Sequence, residues 1–169
     1  MQMTAERNTE RQKQFLAIAN DYKNVVAKVC SIYASADVPF ADLYQEVLIN
    51  LWAGIDSFQG KAKISSWIYR LAINTCISFI RTNRRHIEGR IGLTEVFDIP
   101  DVNDDSVAQL RELYRLISLL SPIDKALITL WLDEKSYDEI SDILGISKAN
   151  VGTRLHRART RLTELASKS

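Results

Sequence analysis

Apolar residues recur every three or four positions along most of this chain, the spacing that gathers them on one face of an α-helix, and strand-like alternation is scarce. The run Phe15, Ile18, Tyr22, Val25, Val29 and Tyr33 predicts one long helix from about Thr9 to Ser35, ended by Asp37, Val38 and Pro39. Leu43, Val47 and Leu51 mark a second helix from about Phe40 to Ala53, whose opposite face carries Asp42, Gln45, Glu46 and Asn50. Gly54 to Lys63 reads as a loop holding Phe58, with its turn at Gly60. Ser65 or Ser66 is expected to cap a third helix running to about Arg84, with Trp67, Ile68, Leu71, Ala72, Thr75 and Phe79 as its apolar positions. Gly92, Pro100 and the acidic run between Gly89 and Asp105 predict a flexible linker and a domain boundary. Past it, Ser106 is placed to cap a helix with Leu110, Leu113, Ile117 and Leu120. Ser121-Pro122 then supplies a cap and a first-turn proline for another, ending near Leu132.

The most legible stretch is SYDEISDILGISKANVGTRLHRARTR, from Ser136 to Arg161. Ser136 with Glu139 three residues on has the form of a capping box. Ile140, Ile143 and Leu144 give the following helix an apolar face, Gly145 can take the left-handed conformation that ends it, and Ser147 can cap the next. On that second helix Val151, Leu155, Ala158, Leu162 and Leu165 share one stripe. Asn150, Arg154, Arg157 and Arg161 share the stripe beside it. Between Lys148 and Arg161 five residues are basic and none acidic, so one face docks while another is polar and cationic, as a helix entering a DNA major groove requires.

Composition sharpens this picture in only a few places. The 169 residues are enough for two small domains, 46% of them are hydrophobic and 25% charged, and three prolines and six glycines suit an all-α fold. A formal net charge of +1 says little, but its distribution is uneven. Seven basic residues stand against Glu88 between Lys61 and Arg90, and five acidic residues stand with no basic one between Thr94 and Leu110, so two cationic regions flank an acidic connector. Cys30 and Cys76 are single and distant, and with His86 and His156 they complete no metal pattern, so buried thiols are expected. The polar start, MQMTAERNTERQKQ, lacks an apolar signal region, and no apolar run approaches the ~20 residues needed to span a bilayer, so a cytoplasmic protein without membrane insertion is expected. There is no nucleophile–base motif, no phosphate-binding glycine loop and no metal set, so neither catalysis nor a cofactor is expected.

The segments ADLYQEVLINLW and SSWIYRLAIN, with a Phe58-bearing loop between them, resemble domain 2 of the extracytoplasmic-function (ECF) sigma factors of the sigma-70 family. Asp42, Leu43, Gln45, Glu46 and Trp52 match the first half of that family's pattern. Ser66, Trp67, Tyr69, Arg70, Ala72, Asn74 and Arg81 match the second. LLSPIDKALITL, SYDEISDILGIS and RLHRARTRL resemble domain 4 of the same family. Ser78 stands where the family usually has aspartate, Asn150 and Gly152 where a T-V-K sequence is common, and Lys63 where an aromatic is frequent, departures that bear on promoter sequence.

The resemblance implies two small helical domains: residues 1–88 as domain 2, a linker over 89–105, and residues 106–169 as domain 4 with the helix-turn-helix. It implies a dissociable RNA polymerase subunit that binds core enzyme, recognises −10 and −35 promoter elements and helps melt DNA, with no small-molecule substrate. It also makes an anti-sigma partner plausible. Core polymerase would meet Asp42, Leu43, Gln45, Glu46 and Asn50. The −10 DNA would meet Phe58, Lys61, Lys63, Tyr69, Arg70, Asn74, Arg81, Arg84 and Arg85. The −35 DNA would meet Lys148, Asn150, Thr153, Arg154, Arg157, Arg159 and Arg161. The rival reading, a helix-turn-helix regulator acting without replacing sigma, would usually need a dimer to read two half-sites, and the chain shows no sustained heptad seam.

Overall fold

Helices begin and end where the chain supplies caps and breakers. In the computed structural model, which describes residues 2–87 and 105–168, the elements are α1 (Gln2–Asp21), α2 (Lys23–Tyr33), α3 (Phe40–Gly54), a 3-10 turn (Ile55–Ser57), α4 (Ile64–Ile87), α5 (Asp105–Ser118), α6 (Pro122–Leu132), α7 (Tyr137–Leu144) and α8 (Lys148–Ala166). The domain-4 caps form as their residues dictate. Ser121 accepts from the Asp124 N–H with Pro122 in the first turn. Ser136 and Glu139 close the capping box with bonds of 3.1 and 2.8 Å. Gly145 ends α7 at φ +67°, and Ser147 caps α8 by accepting from Asn150 N–H at 3.2 Å.

Four boundaries differ from the sequence expectation. The long first helix is two, parted at Tyr22 with φ −109° and ψ 13°. The hydrogen bonds Tyr22 N–H to Ile18 O and Val26 N–H to Tyr22 O carry the ladder across the bend. It also starts at Gln2 rather than Thr9: residues 3–10 are exposed, so this first part has no apolar stripe by which to be read. Ser65, Ser66 and Ser106 lie inside their helices, because α4 opens at Ile64 and α5 at Asp105. Apart from Asp105, the linker expected over 89–105 lies outside the described residues.

Domain 2 is built on α2, α3 and α4, with Val29, Cys30, Leu43, Val47, Leu51, Ile68, Ala72 and Cys76 at 1% exposure or less. Both cysteines are buried free thiols, as expected. In domain 4, α6 is buried on all sides from Ala126 to Leu130, since α7 and α8 cover one flank and α2 of domain 2 the other. The helix-turn-helix docks on it through Ile140, Ile143, Val151, Leu155 and Ala158.

Gly152 is the one glycine inside α8. A Cβ added there would meet Tyr137 Cε2 at 3.5 Å, an ordinary contact. Gly152→Ala is therefore expected to stabilise domain 4 by roughly 0.5–1 kcal/mol, read as a higher denaturation midpoint. An unchanged or lower midpoint would show that the helix needs glycine here for packing.

Candidate nucleic-acid and polymerase interfaces

Three surfaces carry the candidate residues. The first is the outer face of α3, where Asp42 and Gln45 are exposed and Glu46 is half-buried around the exposed Ile49. Two members of the expected set point elsewhere. Leu43 is fully buried, so it seats the helix, and the Asn50 amide donates to Thr75 Oγ1 at 3.1 Å across the α3–α4 interface. Trp52, beside this face, packs edge-on against Phe15 with ring centroids 5.4 Å apart and lies under the Arg11 guanidinium at 4.4 Å.

The second surface is the loop before α4 together with α4 itself. Phe58 is half-buried, its ring 5.2 Å from that of Trp67, and Lys61 and Lys63 are the loop's exposed cations. Asn74, Arg81 and Arg84 are exposed along α4, and the side chain of Arg85 lies outside the described residues.

The remaining members of this set, Tyr69 and Arg70, are turned to domain 4, as is Lys63 of the loop. The Tyr69 hydroxyl donates to Asp133 Oδ2, Arg70 Nη2 donates to Asp142 O, and Lys63 Nζ lies 3.4 Å from Glu139 Oε1. The same Asp133 carboxylate takes Lys28 Nζ at 2.5 Å on both oxygens, and the Tyr33 hydroxyl donates to Pro122 O at 2.5 Å. Burial and the Asp133 charge hold the Tyr69 phenol well above its ordinary range, so it remains a donor at any physiological pH. Glu139 is held below the usual carboxylate range, first by the Ser136 backbone N–H and then by the Ser136 hydroxyl and Lys63. Its folded-state pKa is lowered, so its contribution to stability is present at neutral pH and fades as the pH falls through and below that range.

The third surface is α8. Lys148, Asn150, Thr153, Arg157, Arg159 and Arg161 are exposed and Arg154 is half-buried, around the buried stripe of Val151, Leu155 and Ala158. Their partners separate them. Lys148 pairs with Asp138 at 3.1 Å, Arg161 with Glu164 at 3.3 Å, and Arg159 lies 4.4 Å over the Trp131 ring. Thr153 returns its hydroxyl to Ala149 O at 3.2 Å. Arg154 and Arg157 form no ion pair among the described residues.

This arrangement of a helical core domain and a helix-turn-helix has close relatives. Residues 18–86 match the family model for sigma-70 region 2, and residues 110–162 match that for sigma-70 region 4. The chain is 32% identical over 165 residues to the ECF RNA polymerase sigma factor SigW of Bacillus subtilis, covering 89% of this chain and 88% of that one. The chain thus belongs to the ECF RNA polymerase sigma factors of the sigma-70 family. It is also 28% identical over 181 residues to the ECF sigma factor SigG of Mycobacterium tuberculosis, covering 90% of this chain but spanning only about half, 49%, of that longer relative. Among solved structures, the sigma factor RpoE of Bartonella quintana, crystallised with the anti-sigma factor NepR, superposes with a TM-score of 0.68 at 23% identity. It covers 96% of this chain and 97% of that one, a likeness of fold.

Proposed function

We infer that this protein binds core RNA polymerase and directs promoter-specific transcription initiation, acting as a recognition subunit rather than an enzyme. The carrying observation is that both sigma regions occur in order on one chain, residues 18–86 and 110–162, each with a polar surface facing away from its own core. Residues 1–88 serve polymerase binding and −10 recognition, and residues 106–169 serve −35 recognition, with promoter DNA and core polymerase as partners in the cytoplasm. An anti-sigma factor is a further partner, by analogy with the RpoE complex. No described helix is long and apolar enough to cross a membrane.

Physical features support each assignment. The Asp42 and Glu46 carboxylates on the outer face of α3 suit a basic polymerase surface, giving register and charge-assisted contacts. Lys61 and Lys63 can meet the phosphates of a melted strand. Because Phe58 is already packed on Trp67, that ring supports the loop from beneath. Tyr69, Arg70 and Lys63 are bonded to domain 4 in the closed arrangement, so engagement of the −10 element requires the two domains to part.

The direct test is whether the purified chain makes a sigma-free core polymerase start at defined promoters; random initiation would defeat the reading. Asp42→Lys with Glu46→Lys is expected to weaken core binding at least tenfold, with helical content unchanged in circular dichroism. Equal affinity in a titration would remove α3 as the polymerase handle. Lys61→Glu with Lys63→Glu is expected to reduce promoter melting several-fold while leaving core binding intact. Permanganate reactivity of unpaired thymines reads this out, and undiminished reactivity would count against the loop.

A further inference from the structure

At the seam between the domains lies an open cavity of about 450 Å³. Domain 2 supplies Tyr33, Ser35, Asp37, Ile80 and Arg84 to its wall, and domain 4 supplies Lys125 from α6. Lys125 therefore joins this wall only while the domains are packed together.

Arg84, Lys125 and Asp37 form no ion pair among the described residues. The Lys125 ammonium is half-buried, and what faces it is the Tyr33 ring, 5.4 Å from Nζ. Burial, and next the Arg84 charge, hold that ammonium below the usual lysine range. A cation withdrawn from water costs free energy unless an anion meets it, and two cations facing one cavity repel until one does. The backbone of Ser35 is occupied by reciprocal bonds with Val38 of 2.9 and 3.1 Å, and the residue lines the same space.

We propose that this interdomain cavity is a binding site for a small phosphate monoester that also carries hydroxyl groups. Arg84 and Lys125 would take the phosphate oxygens as charge-assisted donors, with the Ser35 hydroxyl as a third donor. Asp37, which would repel a bare anion, accepts from a hydroxyl on the body of the ligand, and Ile80 with the Tyr33 ring gives that body an apolar wall. A volume of about 450 Å³ exceeds what inorganic phosphate needs and suits a sugar phosphate or a mononucleotide.

The consequence is regulatory, and this part rests on the function proposed above. A ligand that binds only the packed arrangement stabilises it, and by reciprocity weakens whatever needs the domains apart.

Isothermal titration of the full chain at fixed ionic strength tests the site itself, without polymerase. Ribose 5-phosphate is expected to bind one to one, and ribose not at all. Lys125→Gln is expected to weaken binding at least tenfold, with Lys125→Arg restoring most of it. Ser35→Ala, a smaller change that keeps the fold should Lys125→Gln not, is expected to weaken binding several-fold. No binding of ribose 5-phosphate, equal binding of ribose, or affinity indifferent to both Lys125→Gln and Ser35→Ala would overturn the site. A separate titration with core polymerase is expected to show several-fold weaker association at saturating ribose 5-phosphate. Binding to the free chain without that effect would overturn the regulatory consequence alone.

Discussion

Arg154→Ala and Arg157→Ala are each expected to cut the holoenzyme's preference for a matched over a scrambled −35 element, and Arg161→Ala is expected to leave that preference alone. The distinction comes from what already holds each guanidinium. Arg161 is paired with Glu164 at 3.3 Å near the end of α8, whereas Arg154 and Arg157 form no ion pair among the described residues and stand beside the stripe that docks the helix. An arginine that reads a base contributes about 1–3 kcal/mol of discrimination, roughly a 5- to 150-fold loss in preference when it is removed. A phosphate contact carries no sequence information, so Arg161→Ala should weaken matched and scrambled sites alike and flatten the salt dependence by about one ion. Core binding should survive all three changes, because the proposed polymerase handle is on α3. Binding of holoenzyme to both promoters across a salt series separates the classes. Arginine variants that kept both preference and salt slope would remove α8 as the −35 reader.

Asp133→Ala is expected to release the two domains from one another. That carboxylate, at the C-terminal cap of α6, takes Lys28 from α2 and the Tyr69 hydroxyl from α4, so one side chain joins three helices. Its side chain is 20% exposed and that of Lys28 is 25% exposed, so this pair is shielded well beyond an ordinary surface ion pair. Removing it strands an ammonium and a phenol that have little water to turn to, at a cost of about 1–3 kcal/mol to the packed arrangement, or a 5- to 150-fold shift toward separated domains. Fluorescence transfer between labels on α1 and α8 should report a longer mean distance, with helical content unchanged. If the −10 surface is covered as the Tyr69, Arg70 and Lys63 contacts indicate, promoter complexes should also form faster. An unaltered distance distribution would mean that the apolar contacts of α2 with α5 and α6 hold the seam without Asp133.

What the sequence by itself determined is local in origin. Ser136 with Glu139, Gly145 and Ser147 specify a cap, a stop and a second cap within twelve residues. Each motif acts through backbone groups a few positions away, so the helix-turn-helix is legible without its surroundings. The docking stripe of α8 and the cationic face beside it follow from helical period alone, as does the apolar seam of α3. The bend at Tyr22 and the polar start of α1 escaped, because neither carries a breaker residue or an apolar stripe to mark it.

The tertiary structure alone decided which candidate residues are free. Asn50, Phe58, Tyr69 and Arg70 look alike in sequence to residues that meet a partner. In the fold they are committed to Thr75, Trp67, Asp133 and the Asp142 carbonyl. Asp133 itself sits in a turn-rich stretch that marks nothing beyond a helix end, yet it joins Lys28, 105 residues away, to Tyr69, 64 residues away. Contacts at such separation have no signature in periodicity or capping. They arise when two amphipathic units bury their remaining faces against each other, and the polar groups trapped at that seam find whichever partner the packing has brought within reach.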